Sequence, residues 1–386
     1  MKLVPYLLAV YVITKPFYLW SSGLPQISDF VLLLSFVIML FSVHRDKLRQ
    51  TIVDNKFFFL FLFFVVVINL LYSVYYTNSD FLLHTIYYIF DALGIIIFSI
   101  TMKQMEDSRR ILSNSFKISL LVQLALYLLD LGRYYGAVRY MGTFNDPNQF
   151  AYYVFLSFSF IYLFSLKNKD KSSWIFLIIS LFLIFQSMST GMLVGMIVFV
   201  IIYLIALVKK ALKTVKGRFV LMMSCYSLIA VSIVVGGFLW AGGNGVLNVS
   251  NTPLLSRIEE KIDRAQGNSD VSLWQERGYD RMIFYPQYNL FGAGEGMYSR
   301  FELAYHQGEL HATLPSILFS YGLMPLVFIL IWIFNKIKGT KLEVLCVYLA
   351  LLIESFTLIN SRQVLFWVIF LLPQIILIGD KNEKES

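Results

Sequence analysis

His311 ends the longest polar stretch of the chain, residues 241–311, and stands directly before the apolar run 312–334. A neutral imidazole titrates near pH 6.5 and can accept a proton from a hydroxyl at neutral pH. A purely structural use of an interfacial histidine competes with that reading, and His306 and Glu309 are rival bases. Within the same stretch Arg257, Lys261 and Arg264 recur at i, i+4 and i+7. That spacing puts them on one face of an amphipathic helix predicted over 253–267. If 271–285 is a single helix, Arg277 and Arg281 stand one turn apart. They would then form a two-pronged clamp for a diphosphate, since planar guanidinium forks bind phosphate bidentately. Salt bridges to Glu276 or Asp280 are the competing use. A shorter polar segment holds Arg139 and Asn148, separated by the turn-forming Asn145-Asp146-Pro147. Asn148 falls near a predicted helix start, where free amides and the dipole favour anions.

The elements that must position these residues are read from hydrophobicity. Apolar residues make up 58% of the 386 and charged ones only 15%. Runs such as 57–76, 217–240 and 312–334 are long enough to cross a hydrocarbon core of roughly 30 Å. The expected fold is therefore all-α, a polytopic membrane protein of about twelve helices, since helices satisfy their own backbone in lipid. The predicted spans are 3–20, 28–43, 57–76, 81–101, 110–131, 149–166, 173–188, 190–208, 217–240, 311–335, 342–360 and 363–379. This divides the chain into a bundle of nine spans (1–240), one large extracytoplasmic loop with short helices (241–310), and three spans with a tail (311–386). Cys225 and Cys346 both fall inside spans, so neither a disulfide nor a thiolate metal site is expected.

Orientation follows from charge. The loops around 45–56, 103–110, 167–171, 209–218 and 336–341, with both termini, hold sixteen Lys and five Arg. The positive-inside rule places them, and both termini, in the cytoplasm. The opposite face holds eight Arg and a single Lys. They are Arg133, Arg139, Arg257, Lys261, Arg264, Arg277, Arg281, Arg300 and Arg362. Lysine suffices as a topology signal, whereas arginine suits phosphate. The net charge of +8 thus reflects membrane topology, and no nucleic-acid partner is expected. One dominant loop and no internal repeat argue against the two equal halves usual in transporters.

Other features are weaker. Gly292, Gly294 and Gly296 alternate, permitting tight turns. Lys15, Asp91, Lys117, Asp130 and Glu354 lie in or at the ends of spans, where such groups pair with one another or line a polar path. His84 tops the fourth span without an evident partner. Glu259 and Asp263 are one turn apart, but Lys261 and Arg264 are nearer companions than a metal. A metal-independent reaction without a cofactor is expected, because a diphosphate can leave without a general acid where cations stabilise its charge.

Three motifs in order resemble the O-antigen polymerase (Wzy)/O-antigen ligase superfamily. They are Arg139-x-x-Gly142-Thr-Phe-x-Asp-Pro147-Asn148; Ser272-Leu-Trp-Gln-Glu-Arg277 running on to Asn289-Leu-Phe-Gly-Ala-Gly294; and Leu310-His311-Ala-x-Leu-Pro followed by Tyr321-Gly322-Leu. The resemblance implies a GT-C-like glycosyltransferase of the bacterial inner membrane using sugars on undecaprenyl diphosphate. It implies Arg277 on the diphosphate, His311 activating the acceptor hydroxyl, and Arg139 with Asn148 shaping the donor or acceptor site. A polysaccharide polymerase, acting on a lipid-linked oligosaccharide and inverting the anomeric centre, is the leading expectation. A ligase transferring glycan to lipid A–core shares the chemistry, and a lipid-oligosaccharide flippase is the third alternative. A chain-length regulator and a flippase are the implied companions. In one departure, Ser189-Thr190-Gly191 stands where family members often carry a Ser/Thr-Arg pair. Arg281, Arg300 or Arg362 would have to replace that arginine, with Arg257 as a further substrate contact.

Overall fold

A computed structural model describes residues 1–20, 25–168, 170, 172–215, 218–219, 253–266, 271–306 and 308–375. The expected ninth span and the first part of the loop, 217–252, lie almost wholly outside the described residues, as does the tail from 376. What is described is mainly helical, with one two-stranded hairpin.

The first half runs α1 (Val4–Thr14), α2 (Ile27–Ser42), α3 (Arg45–Asp54), α4 (Lys56–Tyr76), α5 (Asp80–Gln104) and α6 (Glu106–Leu128). After α6 comes a hairpin, β1 (Arg133–Tyr135) against β2 (Arg139–Gly142), with Tyr134 opposite Tyr140. This small antiparallel pair is a correction to an all-helical expectation. Then follow α7 (Pro147–Asn168), α8 (Ser173–Ser187) and α9 (Thr190–Ala211). Among the described residues, five helices are long and apolar enough to cross a membrane: α4, α5, α6, α7 and α9. Several turn large apolar side chains outward, including Leu71, Val74, Ile197 and Ile201, as a helix facing hydrocarbon would. α7 is the exception, 89% buried across its apolar window, and it forms the axis around which α6, α8 and α9 pack.

Two spans are shorter than their apolar runs. α1 stops at Thr14 because Pro16 cannot continue a helix and Lys15 turns inward to Asp29, at 3.1 Å. The run 311–335 is broken into α14 (Thr313–Tyr321) and α15 (Leu323–Ile337) at Gly322, whose φ is +85°. A Cβ at Gly322 would lie 2.4 Å from the Leu290 carbonyl oxygen, so the break exists to let the loop's backbone in. Ala293 N–H donates to Phe319 O (2.9 Å) and Gly294 N–H to Ser320 O (2.8 Å). Carbonyls freed by the break are thereby satisfied, where an unpaired one would cost about 1–3 kcal/mol.

The described part of the loop consists of α10 (Pro253–Gln266), α11 (Leu273–Glu276), α12 (Asp280–Phe284) and α13 (Gln287–Phe291). Segment 271–285 is therefore not one helix. Gly278, at φ +74°, ends the turn that begins at Ser272, and α12 starts in a new direction. After α15, α16 (Leu342–Glu354) leads through a turn to α17 (Val364–Val368).

The intramembrane charges have partners. Lys117 meets Asp170 at 2.7 Å, the Asp91 carboxylate accepts from the Trp367 indole at 3.1 Å, and Glu354 accepts from Asn360 at 2.6 Å. Such pairing holds the bundle together.

Candidate active site

The hairpin and the large loop meet over one cavity of about 360 Å³. β2 contributes Arg139 and the first turn of α7 contributes Asn148. α10 contributes Arg257 and Lys261, and the end of α11 contributes Glu276 and Arg277. His306 and His311 stand on the opposite wall, while Ser189-Thr190-Gly191 and Thr357-Leu358-Ile359 form the floor.

Local chemistry explains each placement. Arg139 is 8% exposed, and its Nε donates to Ser187 O (3.0 Å) while Nη2 donates to Asn148 Oδ1 (2.9 Å). It therefore ties the hairpin to the ends of α7 and α8. Asn148 is a ligand of Arg139 rather than an anion receiver. The α7 amides are already capped, because Asp146 Oδ1 accepts from the N–H groups of Asn148 (2.8 Å) and Gln149 (3.0 Å). α9 differs. No side chain caps its first amides, and Ser189 Oγ, 1% exposed, has no hydrogen-bond partner among the described residues. The positive end of a 22-residue helix thus faces the cavity.

α10 is docked by Arg264, which pairs with Glu260 and reaches Glu276 at 3.0 Å. That leaves Arg257 and Lys261, one turn apart on the same helix, for the cavity; Arg257 Nε is buried without a partner. Arg277 and His311 are joined through their backbones. His311 N–H donates to Arg277 O (3.1 Å) and Arg277 Nη1 donates to His311 O (3.4 Å). Thr313 then pins this strand of chain to the floor, donating from Oγ1 to Leu358 O (2.7 Å) and accepting from Asn360 N–H (2.8 Å).

Crowding of like charge shows in the ionisation of the site. Burial, with Arg277 nearby, pushes Lys261 down to about 8. Burial and Arg257 push Arg139 down to about 10. The His311 imidazole is held below its ordinary value by burial and by His306, whose ring lies 4.6 Å away, centroid to centroid. His311 is therefore neutral at pH 7 and able to accept a proton. Four cations facing one carboxylate make a receptacle for a multiply charged anion.

Three arginines expected at this site are elsewhere. Arg281 is 1% exposed, donating from Nη2 to His306 O (2.6 Å) and Gly308 O (2.7 Å) with its plane over Phe301. Arg300 donates to Ala293 O and to Gly294 O (3.0 Å), and packs on Tyr72, Tyr76 and Phe81. Arg362 bridges Glu295 (2.6 Å) and Glu309 (2.8 Å). The two-pronged clamp of Arg277 with Arg281 does not form, because the kink at Gly278 sends the two side chains apart. Nor do Arg281, Arg300 and Arg362 line this cavity, so they do not replace the arginine lacking at Thr190-Gly191. Glu309 is withdrawn as a base: burial would raise it, but His84 and Arg362 outweigh that and hold it at about 2. His84 thus has its partners, lying 3.8 Å from Glu309 and 3.4 Å from the Tyr298 hydroxyl.

Reading the chain alone did not pick out Lys261 or the floor residues as parts of the site. Lys261 was visible as one member of a charged stripe. The floor residues 357–359 carry no signal, since their role comes from the Thr313 contacts. Among the described residues no group of three His, Cys, Asp or Glu side chains converges. No protein-family model matches the chain, and no curated protein is similar to it at a significant level.

Proposed function

We propose that the chain is a twelve-span glycosyltransferase of the bacterial inner membrane, with both termini cytoplasmic, that polymerises a polysaccharide from undecaprenyl-diphosphate-linked units. One observation carries this reading: three separate segments bring Arg139, Arg257, Lys261, Arg277 and His311 to the walls of a single cavity. The cations and the open N-terminus of α9 receive the donor's diphosphate. His311 takes the proton from a sugar hydroxyl of the acceptor unit as that oxygen attacks the anomeric carbon of the donor glycan. The anomeric carbon–oxygen bond to phosphate breaks, and the diphosphate leaves with the electron pair. Arginine forks stabilise the developing charge, so no general acid is needed. Attack opposite the leaving group inverts the anomeric centre.

The test is the surface glycan of a strain lacking this chain, read on a gel. Core bearing a single repeat, restored to a ladder by the intact gene and not by His311→Ala, is the expected result. Bare core with accumulated lipid-linked polymer would instead identify a ligase. An unchanged ladder would overturn both readings.

A further inference from the structure

A second basic cavity, of about 410 Å³, lies at the other end of α7. Asn148 is in the first turn of α7 and Lys167 near its last residue, a rise of roughly 29 Å at 1.5 Å per residue. One phosphate-sized receptacle therefore stands at each end of a helix about as long as a hydrocarbon core is thick.

This second cavity is lined by Arg109, Arg110, Asn114 and Lys117 of α6 and by Lys167 and Asp170 beyond α7, with Asp107 and Ser113 at the rim. Arg110, Asn114 and Lys117 follow at i, i+4 and i+7, so one face of α6 supplies the wall. Lys117 is committed, donating to Asp170 Oδ2 (2.7 Å) and Ser172 Oγ (2.9 Å). That pair braces the α7–α8 turn and fixes the shape of the cavity. By contrast, no salt bridge among the described residues engages Arg109, Arg110 or Lys167. Arg109 Nε is buried without a hydrogen-bond partner. Desolvating a guanidinium edge without a partner is unfavourable unless an anion fills the space. Two arginine forks and a lysine around one concavity match the three acceptor oxygens of a phosphate group.

We propose that this cavity binds a phosphate group, carried by the headgroup of an anionic phospholipid or free in solution. Basic concavities between helices at a membrane face suit such headgroups, and the site's distance from the first cavity sets it in the opposite leaflet. It is independent of the polymerase reading, because none of its residues lines the first cavity.

The full chain, purified in a neutral detergent, is titrated separately with dioleoylphosphatidylglycerol and with inorganic phosphate. Binding is followed by retention in native mass spectrometry and by the shift in unfolding temperature. Saturable binding is expected for at least one probe. Phosphatidylglycerol alone identifies a lipid headgroup, and equal saturation by inorganic phosphate identifies free phosphate. The double variant Arg110→Gln/Lys167→Gln is expected to weaken that binding by about tenfold or more, since hydrogen bonds to charged groups are individually worth about that factor. Lys213→Gln, which removes an exposed lysine past the end of α9, is expected to leave it unchanged. No saturable binding of either probe, an unweakened double variant, or equal weakening by Lys213→Gln would each overturn the proposal.

Discussion

Arg277 and Arg281 are four residues apart and look alike in sequence, yet one faces a cavity and the other is a strut. The same division runs through the whole outer set. Arg139, Arg257 and Arg277 line the cavity, whereas Arg281, Arg300 and Arg362 are consumed by the carbonyls of 293–294 and 306–308 and by two carboxylates. The difference lies in what the local backbone offers. Where the chain turns tightly, as at Gly292–Gly296 and Gly308, its carbonyls point inward and a buried guanidinium satisfies several at once. Where a helix presents its side, as α10 does, the arginine has no such backbone and stays available. Aromatic rings complete the separation: Arg281 and Arg300 lie against faces of Phe301, Phe319, Tyr72 and Phe81, which stabilise a cation without an anion.

The comparison predicts opposite phenotypes for the two groups, and the largest belongs to the cavity. His311→Ala is expected to lower chain extension about 10²- to 10⁴-fold, the usual range for a positioned base, without moving the unfolding midpoint. The measurement is product formation by the purified chain in a bilayer with lipid-linked repeat units. Near-full activity in His311→Ala, with a large loss in His306→Ala, would move the base to the neighbouring ring.

Arg362→Met is expected to do the reverse. It leaves Glu295, 1% exposed, without its cation, and breaking such a buried pair costs about 3–5 kcal/mol. Loss should appear as early unfolding and proteolysis within 285–311, with activity falling only as folded protein is lost. A variant that is fully folded but inactive would return Arg362 to the catalytic group.

The spans were largely legible, because a run such as 57–76 leaves a helix as its only stable form in lipid, and α4 spans Lys56–Tyr76. The break at Gly322 was not, since the run 312–334 is apolar throughout and its interruption comes from Leu290 and Gly292 in a distant loop. For the same reason Gly292, Gly294 and Gly296 seemed a weak pattern, whereas each meets a close neighbour: Tyr321 backbone, the Tyr72 ring and the Phe81 amide. In the site, Arg139, Arg257, Arg277 and His311 were readable from residue type and loop position. The fate of Arg281 was not, because spacing along an assumed helix says nothing once Gly278 has turned the chain.

Arg277→Lys and Arg281→Lys sharpen the comparison at lower amplitude. Both keep the charge and lose the fork. At Arg277 the lost contact is to substrate, so activity is expected to drop roughly 10- to 100-fold, about the worth of one charged hydrogen bond, with stability unchanged. At Arg281 one of two carbonyls loses its donor, and the expected effect is about 1–3 kcal/mol of stability with activity per folded molecule preserved. Equal activity losses in the two variants would erase the distinction.

The smallest effect is in the pH profile. In the free enzyme His311 must be neutral, so kcat/KM rises as pH passes through a value below 6.5. Lys261 must be charged to help hold the diphosphate, and with its pKa pushed down to about 8 it loses its proton as pH rises through that value. The product of the two is a bell between those limits. Lys261→Arg keeps the charge at all working pH, because guanidinium does not titrate there, and should carry the descending limb upward while leaving the ascending limb in place. Lys261→Gln should lower kcat/KM most at neutral pH and flatten the descent. A descending limb near 8 that survives both substitutions would mean that Lys261 belongs with the struts rather than with Arg277.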